Sequence, residues 1–183
     1  MLSPESKNDR VVLADSAADW PDAFRAERLR LAETLGIPIQ SIEHFGSTSI
    51  PGLIAKPIID MMSPVRDLHD VARDRLLESE LGYRRVQTDF ARRVLFRRDG
   101  GAGFHLHLVL SPDWPLKNEL LFRDWLREHP EVVERYADLK RTLASEYGND
   151  VARYTVGKTA FIQRIVTEAR AARGLQPETD WSE

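Results

Sequence analysis

The chain has no cysteine among its 183 residues. That absence excludes disulfides, zinc thiolates and thiol nucleophiles, and it fits a reducing compartment. No uninterrupted apolar run approaches the ~20 residues of a membrane-spanning helix. Residues 1–10 lack the apolar core of a signal peptide. The expectation is a cytoplasmic protein with no membrane partner. Neither sign of charge dominates: 26 Lys and Arg against 29 Asp and Glu give a net charge of −3. That balance argues against a general nucleic-acid binder. There is also no internal repeat, low-complexity tract or linker. A single domain over residues 11–173 follows, with residues 1–10 and 174–183 as loose termini.

At 183 residues with 42% apolar content, folding buries about 70% of the unfolded chain's surface. A core of that size is stable without a disulfide or a structural metal.

Apolar residues recur at helical spacing over 15–35 (Trp20, Phe24, Leu31 and Leu35), and Gly36 and Pro38 stop that helix. Residues 39–45 read as a short strand. Residues 57–62 read as a buried strand, apolar apart from Asp60. A helix over 67–81 ends at Gly82. Strands are expected near 83–88, 92–98 and 104–110. The rest is helical: 116–128, 131–147 and 151–173, divided at Pro130 and Gly148. Trp114, Phe122 and Trp125 read as core residues. The fold class is α+β, a mixed β-sheet packed against helices with a helical C-terminal part.

Two features carry chemistry. The first is the turn Gly46-Ser47-Thr48-Ser49, followed by Lys56. Gly46 permits a tight turn and a close ligand approach. The three hydroxyls and the successive backbone N–H groups can form an anion-binding concavity. Lys56 is a mobile point charge suited to phosphate. The Gly-Lys-Ser/Thr of a P-loop is absent. The second feature is Asp60. A carboxylate inside an apolar strand costs several kcal/mol unless a cation, a metal or hydrogen bonds compensate. It reads as a catalytic carboxylate or metal ligand, or as a structural acid satisfied by an arginine.

The ordered string His44-Phe45-Gly46-Ser47-Thr48-Ser49-Ile50-Pro51-Gly52-Leu53-Ile54-Ala55-Lys56-Pro57-Ile58-Ile59-Asp60 resembles the signature of the GrpB family. Trp20, Phe24, His105-x-His107, Phe122-Arg123-Asp124-Trp125, His129-Pro130, Tyr136, Tyr154, Lys158 and Phe161 continue the resemblance, over about residues 11–170. A similar domain is fused to dephospho-CoA kinase in some bacteria. The family resembles the nucleotidyltransferase superfamily. There a Gly-Ser turn binds nucleotide phosphates, and carboxylates on a following strand and a later one hold two magnesium ions.

The resemblance makes Gly46 and Ser47 the phosphate turn and Asp60 the first carboxylate. The second acid belongs at position 62, which holds methionine, a poor ligand for a hard cation. His105 and His107 alternate with Phe104, Leu106 and Leu108, so both imidazoles share one strand face. If that strand lies beside the Asp60 strand, histidine stands in for the later acid, with His44 joining from a strand end. Such a mixed donor set suits manganese or zinc better than magnesium. The cofactor expected is thus a divalent ion: magnesium or manganese, with zinc as the third candidate.

Arg123, Lys158 and Tyr154 are expected to line a pocket for an acidic ligand. Arg127 and Lys140 read as solvated cations. Arg84, Arg85, Arg92, Arg93, Arg97 and Arg98 read as a solvated strand face. The resemblance implies a metal-dependent transferase that moves a nucleotidyl or phosphoryl group to a small acceptor. Its partner would be a nucleotide or another phosphorylated small molecule. The competing reading is a non-catalytic anion-binding or assisting module. A nucleic-acid-modifying enzyme using the arginine face is the third.

Overall fold

A computed structural model describes residues 10–17, 19–88, 90–110, 114 and 116–177. The loose-terminus expectation for residues 1–9 and 178–183 lies outside the described residues. Five strands form one sheet: β1 (Glu43–Phe45), β2 (Ile58–Val65), β3 (Arg84–Val86), β4 (Arg93–Arg98) and β5 (Gly103–Leu110). Their spatial order is β1-β2-β5-β4-β3. Only β2 and β5 run parallel; the other pairs are antiparallel.

Among the described residues six α-helices accompany the sheet: α1 (Trp20–Leu35), α2 (Val71–Ser79), α3 (Asn118–Glu128), α4 (Pro130–Tyr147), α5 (Val151–Gly157) and α6 (Thr159–Ala172). α1 ends at Gly36, whose left-handed φ of 62° allows its N–H to cap Ala32. Asp70 and Asp150 cap α2 and α5 by accepting from the N–H groups of Arg73 and Arg153.

Strand alternation divides the sheet into two faces. One face carries Ile59, Met61, Phe96, Leu106 and Leu108, which pack against Trp20 and Leu31 of α1 and Leu77 of α2. Each side chain buried there contributes about 1.5–3 kcal/mol over leaving it exposed. The other face is covered in part by Leu120 of α3, which meets Phe45, Met62 and Val109. A second core joins Leu126 of α3, Tyr136 of α4 and Ile165 of α6 to Ile50, Leu53 and Ile54. The helical half is thereby anchored to the segment that follows the Gly-Ser turn.

Several element readings differ. The helix expected over 15–35 begins only at Trp20, and the strand expected over 57–62 continues to Val65. Residues 39–41 form a 3₁₀ turn, and only 43–45 pair as a strand. The residues expected as a helix over 67–81 are helical only over Val71–Ser79, because Asp70 caps there. The long C-terminal helix is broken at Lys158. Gly157 packs so closely on Leu143 that a Cβ would stand 2.5 Å from Leu143 Cδ2. Glycine is a poor helix former, and the contact with Leu143 leaves no room for a side chain at that position.

The arginine cluster is not one solvated face. Arg85 pairs with Asp74 at 2.5 Å, Arg93 with Glu119 at 2.6 Å and Arg98 with Glu27 at 2.6 Å, while the exposed Arg84 pairs with Asp99. β4 alternation sends Arg93 and Arg97 to one face and Arg98 to the other.

Candidate functional site

The site lies on the sheet face away from α1, where two transverse rows cross all five strands. Register places Phe45, Asp60, His105, Arg97 and Arg84 in the first row. Glu43, Met62, His107, Leu95 and Val86 form the second. Parallel pairing of β2 with β5 sets Asp60 beside His105 and Met62 beside His107. The position expected to hold a second acid is therefore a fully buried methionine in the core.

The Gly-Ser turn sits over Asp60. Gly46 adopts φ 71° and ψ −177°, a region open essentially to glycine alone. A Cβ there would overlap Asp60 Oδ2 and stand 3.0 Å from Asp60 Cβ and Cγ. Thr48 Oγ1 donates to the Ile58 carbonyl at 2.8 Å and ties the turn to the start of β2. Ser49 Oγ donates to the Gly46 carbonyl at 2.7 Å, which commits its hydroxyl to the turn.

Two cavities meet at Asp60. The smaller, about 190 Å³, is walled by Ser47, Thr48, Lys56, Asp60, His105, Lys140, Tyr154 and Lys158. The larger, about 390 Å³, runs past Phe45, Leu53, Phe122 and Ile162, with Asn118 and Gln163 as polar points. Ser47, Asp60, Thr155 and Lys158 line both. One end is small and cationic, and the other is roomy and largely apolar.

Lys140 is not the solvated cation that its sequence context suggests. It is 2% exposed, and its Nζ lacks a hydrogen-bond partner. It lies 5.1 Å from the centre of the Tyr136 ring. Burial, then the Lys158 charge, lowers its pKa from 10.5 to about 7, while Asp60 pulls upward. The buried stripe of α4 is Val132, Tyr136, Ala137, Lys140 and Leu143. That helical spacing was visible in the sequence, and it places a lysine on the core-facing side.

Asp60 has a balanced environment. Burial pushes its carboxyl up, but the hydrogen bond to His105 and neighbouring positive charge, that of Lys56 included, leave it below its ordinary value. Among the described residues, Asp60, His105 and His107 offer ligand atoms within 4.8 Å of one another. His107 Nδ1 is buried without a partner. Its ring meets Phe45 edge-on at 5.1 Å. Burial and the Arg93 charge lower its pKa to about 3.

This donor set does not fit two magnesium ions, because it supplies one carboxylate and two imidazoles. By residue type it fits one borderline ion such as zinc or manganese.

Three expected site residues are not brought into the cleft. His44 pairs in register with Met61, on the opposite sheet face from Asp60. Its ring stacks on Phe24 at 4.6 Å, and its Nε2 meets Thr48 Oγ1 at 3.1 Å. Arg123 donates to Glu43 at 2.7 Å, to the His44 carbonyl at 2.9 Å and to Asp124 at 2.7 Å. It staples α3 to β1. Ser49 backs onto a separate hollow with His44, Phe24 and Arg127. Gly46, Ser47, Thr48, Lys56, Tyr154 and Lys158 all line the cleft. Lys158 also lies over the Tyr154 ring at 4.6 Å.

The mixed sheet, the glycine-serine turn over a strand carboxylate and the helical flank define a nucleotidyltransferase-like fold. The family model described as GrpB protein matches residues 10–168. The chain belongs to the GrpB family. It is 37% identical over 169 residues to a UPF0157 protein of Pseudomonas aeruginosa, covering 90% of this chain and 70% of that one. A dephospho-CoA kinase of Mycolicibacterium paratuberculosis is 28% identical, over 81% of this chain and 43% of that protein. The crystal structure of the conserved protein GrpB from Enterococcus faecalis superposes with a TM-score of 0.75 at 29% identity, covering 89% of this chain and 99% of that one. Terminal uridylyl transferase 4 from Trypanosoma brucei with bound UTP superposes with a TM-score of 0.51 at 15% identity, covering 89% and 53%. That likeness is one of fold. No helix among the described residues is long and apolar enough to cross a membrane.

Proposed function

We propose that the joined cleft binds a nucleotide, or a small molecule of the same phosphate-and-ring build, and that the protein transfers a nucleotidyl or phosphoryl group from it to a small acceptor. The observation that carries this reading is the pair of cavities sharing Ser47, Asp60, Thr155 and Lys158. Lys56, Lys140 and Lys158 wall the small end, which suits phosphate oxygens. Phe45, Leu53, Phe122 and Ile162 wall the large end, which suits a sugar and base.

Asp60 is the group placed to accept a proton from an acceptor hydroxyl, since hydrogen bonding and nearby cations keep it ionised. A divalent ion carried in with the phosphates, for which Asp60 and His107 are the available protein ligands, would supply positive charge there. The lysines, with Ser47 and the turn, hold the ligand in place, and the apolar wall excludes water from the large end.

A second reading is favoured by Met62: binding without transfer, as in an assisting module. Position 62 has no carboxylate, and the matching part of the mycobacterial dephospho-CoA kinase is consistent with such a module.

Calorimetric titration with ATP, GTP, CTP, UTP and CoA, each with magnesium or manganese, tests binding. A saturable signal is expected for at least one nucleotide and should be lost in Lys158→Met. Absence of binding to every one of them would end the nucleotide reading. Asp60→Asn should bind but not turn over; equal turnover in that variant would remove Asp60 from the chemistry, whereas binding with no turnover in the wild type would leave only the binding-module reading.

A further inference from the structure

Arginine carries five N–H donors and no acceptor. Arg97 Nε points at His105 Nε2 across 2.9 Å. The imidazole must therefore meet it with the Nε2 lone pair, which leaves the ring proton on Nδ1. His105 Nδ1 faces Asp60 Oδ1 at 3.3 Å. The row thus reads Arg97 Nε–H to His105 Nε2, then His105 Nδ1–H to Asp60, across β4, β5 and β2. Each contact follows from the register that pairs Arg97 with His105 and His105 with Asp60.

We propose that Arg97 fixes His105 as the Nδ1–H tautomer, which makes Asp60 and His105 a hydrogen-bonded carboxylate–imidazole pair and closes His105 to a resident transition-metal ion. A metal ligand must present an unshared lone pair. With Nε2 accepting from arginine and Nδ1 carrying the proton, His105 has none. Asp60 and His107 remain, one fewer than the three protein ligands of catalytic zinc sites. Coordination through Nδ1 requires the ring proton to move to Nε2, where it would confront the Arg97 N–H, or to leave altogether.

A second observation points the same way. Lys56 and Lys140 line the cavity with Asp60, Lys158 lines both cavities, and Arg93 lines the larger one. The charges of Lys56 and Lys158 oppose a dication seated there, while Arg93 is paired with Glu119 and burial holds Lys140 at a pKa of about 7. Arg97 is thus a positioning residue that selects between hydrogen bonding and metal binding at one imidazole. The proposal concerns the unliganded protein and stands apart from the nucleotide reading.

The test uses ¹⁵N-histidine-labelled protein and cobalt as the metal probe. In the wild type, the two-bond nitrogen–proton spectrum should show His105 with a protonated Nδ1 and an unprotonated Nε2. Cobalt titration followed by visible absorption should give no ordered His-ligated site in the wild type. In Arg97→Met it should give binding tighter by about 10-fold or more, and Arg97→Met/His105→Phe should lose that gain. An Nε2–H tautomer in the wild type overturns the proposal, as does wild-type cobalt binding equal to that of Arg97→Met. The wild-type spectrum decides the tautomer even if the variant fails to fold. Nucleotide binding enters neither readout, so failure of the nucleotide reading leaves this test intact.

Discussion

Gly46 and Asp60 are in such close contact that the space for a methyl group on Gly46 is already filled by the Asp60 carboxylate. The turn and the carboxylate are therefore one unit. Gly46→Ala must move the turn off β2 or displace Asp60, and it also forces a φ of 71° on a residue with a Cβ. We expect a loss of roughly 1–3 kcal/mol of stability from the backbone term alone, together with loss of ligand binding. Urea unfolding and calorimetric titration of the variant check both. Unchanged stability would show that the turn is not held against Asp60.

Lys140 should behave in the opposite sense. Its buried Nζ has no hydrogen-bond partner, so Lys140→Met removes an uncompensated polar group from the interior. The variant should be more stable than the wild type by about 1–3 kcal/mol, yet bind an anionic ligand at least about tenfold more weakly, a loss near 1.4 kcal/mol. Thermal unfolding with and without pyrophosphate measures both effects. A destabilised variant with unaltered binding would make Lys140 a structural residue.

Stability should rise with pH in two windows. His44 is held down to about 4, chiefly by burial, against an ordinary 6.5. Between those values the unfolded chain binds the extra proton, so stability is fully present above 6.5 and is lost as pH falls toward 4. Lys140, with a folded value of about 7 against 10.5, acts with the same sign higher up. The unfolded lysine holds its proton between 7 and 10.5, so stability climbs across that range. Denaturant unfolding from pH 4 to 10 should show both rises, and Lys140→Met should remove only the alkaline one. A flat profile above pH 7 in the wild type would refute the buried-amine assignment.

The far side of the sheet supplies a control. Glu27, 2% exposed, accepts from Tyr83 Oη at 2.9 Å, from Arg98 at 2.6 Å and from Arg30 at 2.8 Å. Glu27→Ala leaves a buried hydroxyl and guanidinium without their partner and should cost about 3–5 kcal/mol. Tyr83→Phe should cost about 1 kcal/mol. Tyr83→Phe should leave ligand affinity unchanged, because this network lies on the α1 face and not in the cleft. A change in affinity with that variant would mean that the two faces are coupled.

The sequence by itself determined the local elements and the turn. The alternation in Phe104-His105-Leu106-His107 put both imidazoles on one face, and the lone acid in Pro57-Ile58-Ile59-Asp60 marked the strand to watch. The ordered string from His44 to Asp60 indicated the family. What it could not determine is which strands are neighbours, because pairing between β2 and β5 joins segments more than forty residues apart, and no local propensity encodes it. Tertiary structure alone decided that Met62, not a carboxylate, stands beside His107. It also turned His44 to the other face, used up Arg123 on Glu43 and set Arg97 against His105. Lys140 lies between these cases. Its helical position was legible, but only the packing of α4 over the cleft turned a lysine at that spacing into a buried, unpartnered amine.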